Sequence, residues 1–132
     1  MHDFITVRHI SEKKGRGAFA KKDIKKGTVI DVANLVLLSN KDYEKIRKTQ
    51  LYDYCYIWED PKHYPAFKNA ITLSISQFIN HSYTPNLKYI YDYENSAIEF
   101  SAIKTIIKGE ELTVNYNGVV DDTSPLWFMI QN

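Results

Sequence analysis

One stretch, Phe78-Ile79-Asn80-His81-Ser82-Tyr83-Thr84-Pro85-Asn86, constrains the fold more than any other. The run before it (Ile71, Leu73, Ile75, Phe78, Ile79) reads as buried. It delivers four hydrogen-bonding side chains, Asn80, His81, Ser82 and Thr84, straight against that core, and Pro85-Asn86 then signals a turn. Polar groups pressed against apolar surroundings cost about 1–3 kcal/mol each unless they are paired. The chain must therefore bring its own backbone, or a ligand, to this spot.

The 132 residues read as one domain with one core. Phe4 to Arg8 alternate apolar and polar as a short strand does, placing a strand over 4–10, and Gly15-Arg16-Gly17 permits a tight turn into a second strand over 17–20. That turn completes neither GxGxxG nor GxxxxGK[ST], so it is no phosphate loop. Val29 to Leu38 reads as a strand pair, and Ser39-Asn40-Lys41-Asp42 as the start of one short helix. Leu51 to Trp58 alternates with period two, which would put Tyr52, Tyr54 and Tyr56 on one strand face, a buried aromatic surface or the wall of a channel able to hold a cation. A loop over 59–67, a hairpin from Leu87 to Ile103 around Glu94-Asn95-Ser96, a bend over 104–109 and a strand over 112–116 complete a chain that is mainly β with short helices.

Charge and cysteine usage narrow the function. Lys+Arg and Asp+Glu nearly cancel to +1, so no net field calls for direct nucleic-acid or membrane contact. The single cysteine, Cys55, suits a reducing compartment, and no leader or apolar span is evident, so a soluble, cytoplasmic protein is expected. One cysteine and four scattered histidines offer no zinc spacing. Cys55 falls in a strand pattern without a neighbouring base, and reads as a buried inert thiol rather than a nucleophile. Glu110 and Glu111 are strand neighbours on opposite faces, so they cannot act together on one bond.

Three separated stretches, read together, carry a resemblance. They are Gly15-Arg16-Gly17-Ala18-Phe19-Ala20, then Asn80-His81-Ser82 with Pro85-Asn86, then Gly109-Glu110-Glu111-Leu112-Thr113-Val114-Asn115-Tyr116. In this order they resemble the signature motifs of SET-domain protein-lysine methyltransferases, over about residues 4 to 128, with a compactness closest to viral and bacterial members. The resemblance implies a single SET domain: small curled sheets (a β-clip) with a core over about 4–118, a closing segment over 119–132, and a C-terminal pseudoknot that sets Asn80-His81 beside Tyr116. It implies S-adenosylmethionine bound by Arg16, Gly17, Phe19, Asn80, His81, Tyr116 and Trp127 (or Phe128) over the adenine. It also implies a protein lysine, in a histone or histone-like substrate, entering from the other side past Tyr54, with Tyr116 as the central catalytic hydroxyl. A homodimer that completes the substrate groove is consistent with so short a domain.

Those residue types suit the chemistry. Methyl transfer needs positioning more than metal. The attacking amine must be neutral, which for a free lysine side chain, with its pKa near 10.4, costs about 4–5 kcal/mol at pH 7. An aromatic channel beside a sulfonium lowers that pKa. The sequence departs from the family pattern at Asn115, where Asp is frequent, and at Ser74 and Ser76, where glycines are usual. Two other readings stay open: an inactive SET-fold module that binds a peptide or cofactor, and a β-rich interaction protein whose tyrosines make an interface.

Overall fold

Alternation over the N-terminal residues produces β1 (Ile5–Ser11), which pairs antiparallel with β2 (Gly15–Ala20). The turn between them uses Gly15 at φ +70°, a region that disfavours a Cβ. The structure is a computed structural model and describes residues 2–60 and 62–125. Seven further strands follow among the described residues: β3 (Val29–Ser39), β4 (Tyr56–Ile57), β5 (Phe67–Thr72), β6 (Asn80–His81), β7 (Leu87–Asp92), β8 (Ala97–Ala102) and β9 (Thr113–Val114). Five of them form one sheet, ordered β4-β5-β3-β8-β7, and a two-stranded parallel pair, β6-β9, closes the fold. The architecture is mainly β with curled sheets and short helices, as the sequence leads one to expect.

β3 corrects one expectation: it is a single strand of 11 residues, not a pair. No glycine or proline interrupts Val32-Ala33-Asn34-Leu35, and both ends find partners. Its first half pairs with β8 (Val32 opposite Glu99) and its second with β5 (Val36 opposite Ile71). The predicted helix forms as α1 (Asn40–Ile46), capped by Ser39, whose Oγ accepts the Asp42 N–H at 3.1 Å.

The expected strand over 51–58 is also corrected. Residues Gln50–Tyr54 form a 3-10 helix, because Thr49 Oγ1 accepts the Leu51 N–H at 3.2 Å and offers the backbone a local alternative to a ladder. Only Tyr56–Ile57 remain as a strand, so Tyr52, Tyr54 and Tyr56 do not share one face. Cys55 ends that helix half-buried, within 3.5 Å of the Leu51 carbonyl, and burial pushes its thiol pKa up. Leu73, expected inside, is 85% exposed: β5 ends at Thr72, and Ser74 starts a 3-10 helix (Ile75–Phe78) that buries Ser76 and delivers Ile79 to the core while Ile75 and Phe78 stay half-buried.

One apolar cluster joins the three sheets. Ile5 and Ala18 enter from the first hairpin, Ile98 and Phe100 from β8, and Leu112 and Val114 from the C-terminal segment. No helix among the described residues is long and apolar enough to cross a membrane.

Candidate active site

Two segments separated by some thirty positions meet at β6 and β9. Asn80 lies opposite Thr113 and His81 opposite Val114 in parallel register, and the Ser82 N–H continues the ladder to the Val114 carbonyl at 2.9 Å. So short a ladder needs side-chain help, which Asn86 supplies. Its Oδ1 accepts the Thr113 N–H at 2.9 Å, and its Nδ2 donates to the Glu111 carbonyl at 2.8 Å. Asn86 is buried, so both bonds replace water that cannot reach it.

Asn80 ties this crossing to the glycine turn. Its amide donates to the Arg16 carbonyl at 3.2 Å and to Glu111 Oε2 at 3.0 Å. Both amide hydrogens thus go to protein acceptors, leaving only Oδ1 toward a ligand. Gly17 is packed tightly enough that a Cβ would meet Ile10 Cδ1 at 2.6 Å and both Asn80 Nδ2 and Glu111 Oε2 at 3.0 Å. Phe19 bridges to Glu111 in the backbone, and the Arg8 guanidinium lies 3.9 Å from its ring centroid. Arg16 turns its guanidinium onto Phe78, at 4.4 Å.

Tyr116 stands over the crossing. Its backbone N–H donates to His81 Nδ1 at 3.0 Å, and its hydroxyl donates to the Ile79 carbonyl at 2.8 Å. The residue is 42% exposed, but the hydroxyl is turned inward, and that end decides the chemistry. Burial first, then the hydroxyls of Tyr89 and Tyr54 and the carboxylates of Glu111 and Asp53, raise its pKa well above that of a free phenol. Tyr56 is shifted the same way, by burial and then by Tyr116, Tyr89, Tyr91 and Asp31. Tyr56 and Tyr89 meet edge to face at 6.4 Å, and Tyr54 meets Phe78 at 6.3 Å.

His81 carries the feature that points outward to a ligand. Since Nδ1 accepts from Tyr116, the neutral ring must carry its proton on Nε2. Nε2 is buried and has no hydrogen-bond partner among the described residues. Burial lowers the ring's pKa and holds it neutral. An orphaned donor beside the rings of Tyr83 and Tyr116 fits a cofactor that offers acceptor atoms and carries a positive sulfur.

Of the residues expected from sequence, Arg16, Gly17, Phe19, Asn80, His81 and Tyr116 come together, and Tyr54 stands near enough to act on the Tyr116 hydroxyl. Trp127 and Phe128 lie outside the described residues. Among the described residues no group of three or more His, Cys, Asp or Glu could hold a metal. Three contributors were not anticipated as site residues. Asn86 and Glu111 stood inside the motifs without an assigned role. Tyr89, whose hydroxyl donates to the Tyr116 carbonyl at 3.2 Å, reaches the site through tertiary packing that no local signal announces. Tyr56, read from the sequence as part of a channel wall, meets Tyr89 there, though not from the strand face expected.

Comparison with known proteins follows the same outline. A family model described as SET domain matches residues 15–117. A protein of Schizosaccharomyces pombe named histone-lysine N-methyltransferase, H3 lysine-37 specific, is 29% identical over 119 residues, covering 89% of this chain and 73% of its own. A variant-silencing SET domain-containing protein of Plasmodium falciparum is 34% identical over 120 residues, covering 81% of this chain but 4% of its own. Among solved structures, ctPRC2 in an autoinhibited conformation bound to S-adenosylmethionine superposes with a TM-score of 0.68 at 23% identity, over 88% of this chain and 15% of that one. At that identity the superposition speaks to the fold.

Proposed function

The chain belongs to the SET domain family, and on that premise we propose that it transfers a methyl group from S-adenosylmethionine to the side-chain amine of a lysine in a protein. The observation that carries this reading is the inward Tyr116 hydroxyl, fixed by the Ile79 carbonyl beside a His81 whose Nε2–H lacks a partner among the described residues. The bound cofactor supplies a methyl group on a positively charged sulfur.

The chain's own residues do the rest. The one hydroxyl hydrogen of Tyr116 is committed to Ile79, so its oxygen lone pairs are free to accept an N–H from the incoming amine. That contact fixes the direction of the nitrogen lone pair, and orientation of this kind supplies much of the rate in a displacement. A raised pKa keeps Tyr116 a neutral phenol, so it orients the amine and does not take its proton. Tyr54, Tyr56 and Tyr89 exclude water from the approach, and desolvation favours the neutral amine. Asn80 and Glu111 hold the Arg16-Gly17 backbone where a cofactor would meet it, and His81 Nε2–H offers it a donor. A histone tail is the substrate class to test first, because the fission-yeast relative is named for one.

The test uses radiolabelled S-adenosylmethionine with histones and with total protein, followed by mass spectrometry of the labelled product. Label on a lysine is the expected result. Tyr116→Phe should lower transfer on the order of 100-fold while cofactor affinity, read by calorimetry, stays within about threefold. Cofactor heat without transfer to any protein would favour the inactive binding module instead. No heat at all would leave an interaction protein.

A further inference from the structure

Net charge conceals where the charges are. Residues 21–26 read Lys-Lys-Asp-Ile-Lys-Lys, and the segment from Lys104 to Lys108 carries two more lysines. The fold lays these two turns side by side. Ile24 and Ile106 exchange backbone hydrogen bonds at 2.8 Å, Gly109 donates to the Ala20 carbonyl at 2.8 Å, and Lys108 N–H reaches Asp23 Oδ1 at 2.8 Å. Both isoleucines are buried, which anchors the turns and leaves Lys22, Lys25, Lys26, Lys104 and Lys108 exposed. Arg8 of β1 joins them, donating to the Gly109 carbonyl at 3.3 Å. Seven of the chain's 17 basic residues thus gather on one face, against Asp23 and Glu110, and Asp23 is already engaged.

That face also has a recess. A cavity of about 300 Å³ is lined by Thr6, Arg8, Ala20, Lys21, Lys108 and Gly109. Three cations and a hydroxyl line an open hollow, with no carboxylate among these lining residues. Lys21 Nζ donates to the His2 carbonyl at 2.8 Å and keeps two further N–H groups, so the set suits a phosphate. We propose that this face binds the phosphate backbone of a nucleic-acid duplex, with one phosphate seated between Arg8, Lys21 and Lys108. The lysines are compact charges on flexible stems, and Phe4 and Phe19 beside them are covered by Lys22 and Arg8 at 4.6 and 3.9 Å. An acidic protein partner would need an apolar anchor, and here the rings are already capped. A lattice of lysines around one hollow suits sequence-independent contact with regularly spaced phosphates.

The experiment measures anisotropy of a labelled duplex of about 20 base pairs titrated with the intact chain, without cofactor or peptide, from about 50 to 200 mM salt. Binding that weakens steeply with salt is expected. Replacing Lys25, Lys26 and Lys104 together by Gln should weaken it at least tenfold at low salt and flatten the slope by roughly 0.9 for each lysine that meets a phosphate. Those three lie away from the proposed active site, so methylation of a short peptide by the variant should be unchanged. Arg8→Gln with Lys108→Gln should weaken duplex binding further. Absence of binding at low salt, equal affinity in the triple variant, or equal affinity for poly-glutamate would each overturn the proposal. Because no methyl transfer is read, these outcomes stand apart from the fate of the enzymatic reading.

Discussion

At the scale of single residues, hydrogen-bond direction decides more than residue type. Asn80 donates to two acceptors at once, so replacing it by a carboxylate would set oxygen against oxygen at Arg16 and Glu111. Asn80→Asp should therefore destabilise the fold more than Asn80→Ala at pH 7, by about 1–3 kcal/mol beyond the alanine variant. Protonation below about pH 4 should narrow that gap. Urea unfolding of both variants at the two pH values checks it, and equal midpoints at pH 7 would break the argument. Asn115 follows the same logic. Its Nδ2 donates to the carbonyls of Val120 (3.2 Å) and Asp122 (2.6 Å), and an Asp could make neither bond. The departure from the frequent Asp, visible in the sequence, is thus matched to a return of residues 119–122 that was not. The raised pKa of Tyr116 gives the pH profile its sign. A phenol shifted upward stays protonated through the neutral and mildly alkaline range, so kcat/KM should follow the neutral fraction of the free substrate lysine. It should rise about tenfold per unit between pH 7 and 9. A plateau near pH 7.5 that disappears in Tyr116→Phe would make Tyr116 a base and sink the orienting role.

Among elements, the glycine turn and the crossing act as one piece. Gly17 has ordinary φ, so its constraint is space, not backbone strain. Gly17→Ala pushes a methyl into Ile10, Asn80 and Glu111 together. The end of Ile10 can swing away, but the two polar contacts at 3.0 Å cannot move without loosening Asn80. A loss of about 1–3 kcal/mol in stability, with weaker cofactor binding, is expected from urea titration and calorimetry. Wild-type values for both would uncouple turn from site. The same elements show what sequence could carry. The first hairpin was legible because glycine and alternation agree there, and α1 because Ser39 caps it. Residues 51–58 were not, since their alternation fitted a strand while Thr49 quietly capped a 3-10 helix. β3 misled for the opposite reason: its partners on both sides come from residues at least 28 positions away, and no local feature marks a strand shared by two neighbours.

For the whole molecule, the site exists only where distant parts of the chain are held together, and a single core holds them. Polar side chains against a buried run demanded some partner, but it was the resemblance to SET domains that named it, by implying that Asn80-His81 lie beside Tyr116. Tyr56 was legible as a channel-wall tyrosine, but its partner Tyr89 was not, since that pairing depends on how the five-stranded sheet brings β4 and β7 toward that meeting point. Leu112 tests how tightly these levels are joined. It is fully buried, its N–H donates to the Ala18 carbonyl of β2 at 2.8 Å, and it sits between Glu111 and Thr113, the residues that Asn80 and Asn86 grip. Leu112→Ala removes core volume and should cost about 2–5 kcal/mol, a large share of the roughly 5–15 kcal/mol typical of such a domain. Because the same cluster supports all three sheets, the loss should appear everywhere at once. Circular dichroism of the sheets and amide exchange at Thr113 and Val114 should report the same free energy in wild type and variant. If exchange at those two amides rises while the sheet transition stays put, the crossing is a separately melting unit, and the site is not built on the core that carries the fold.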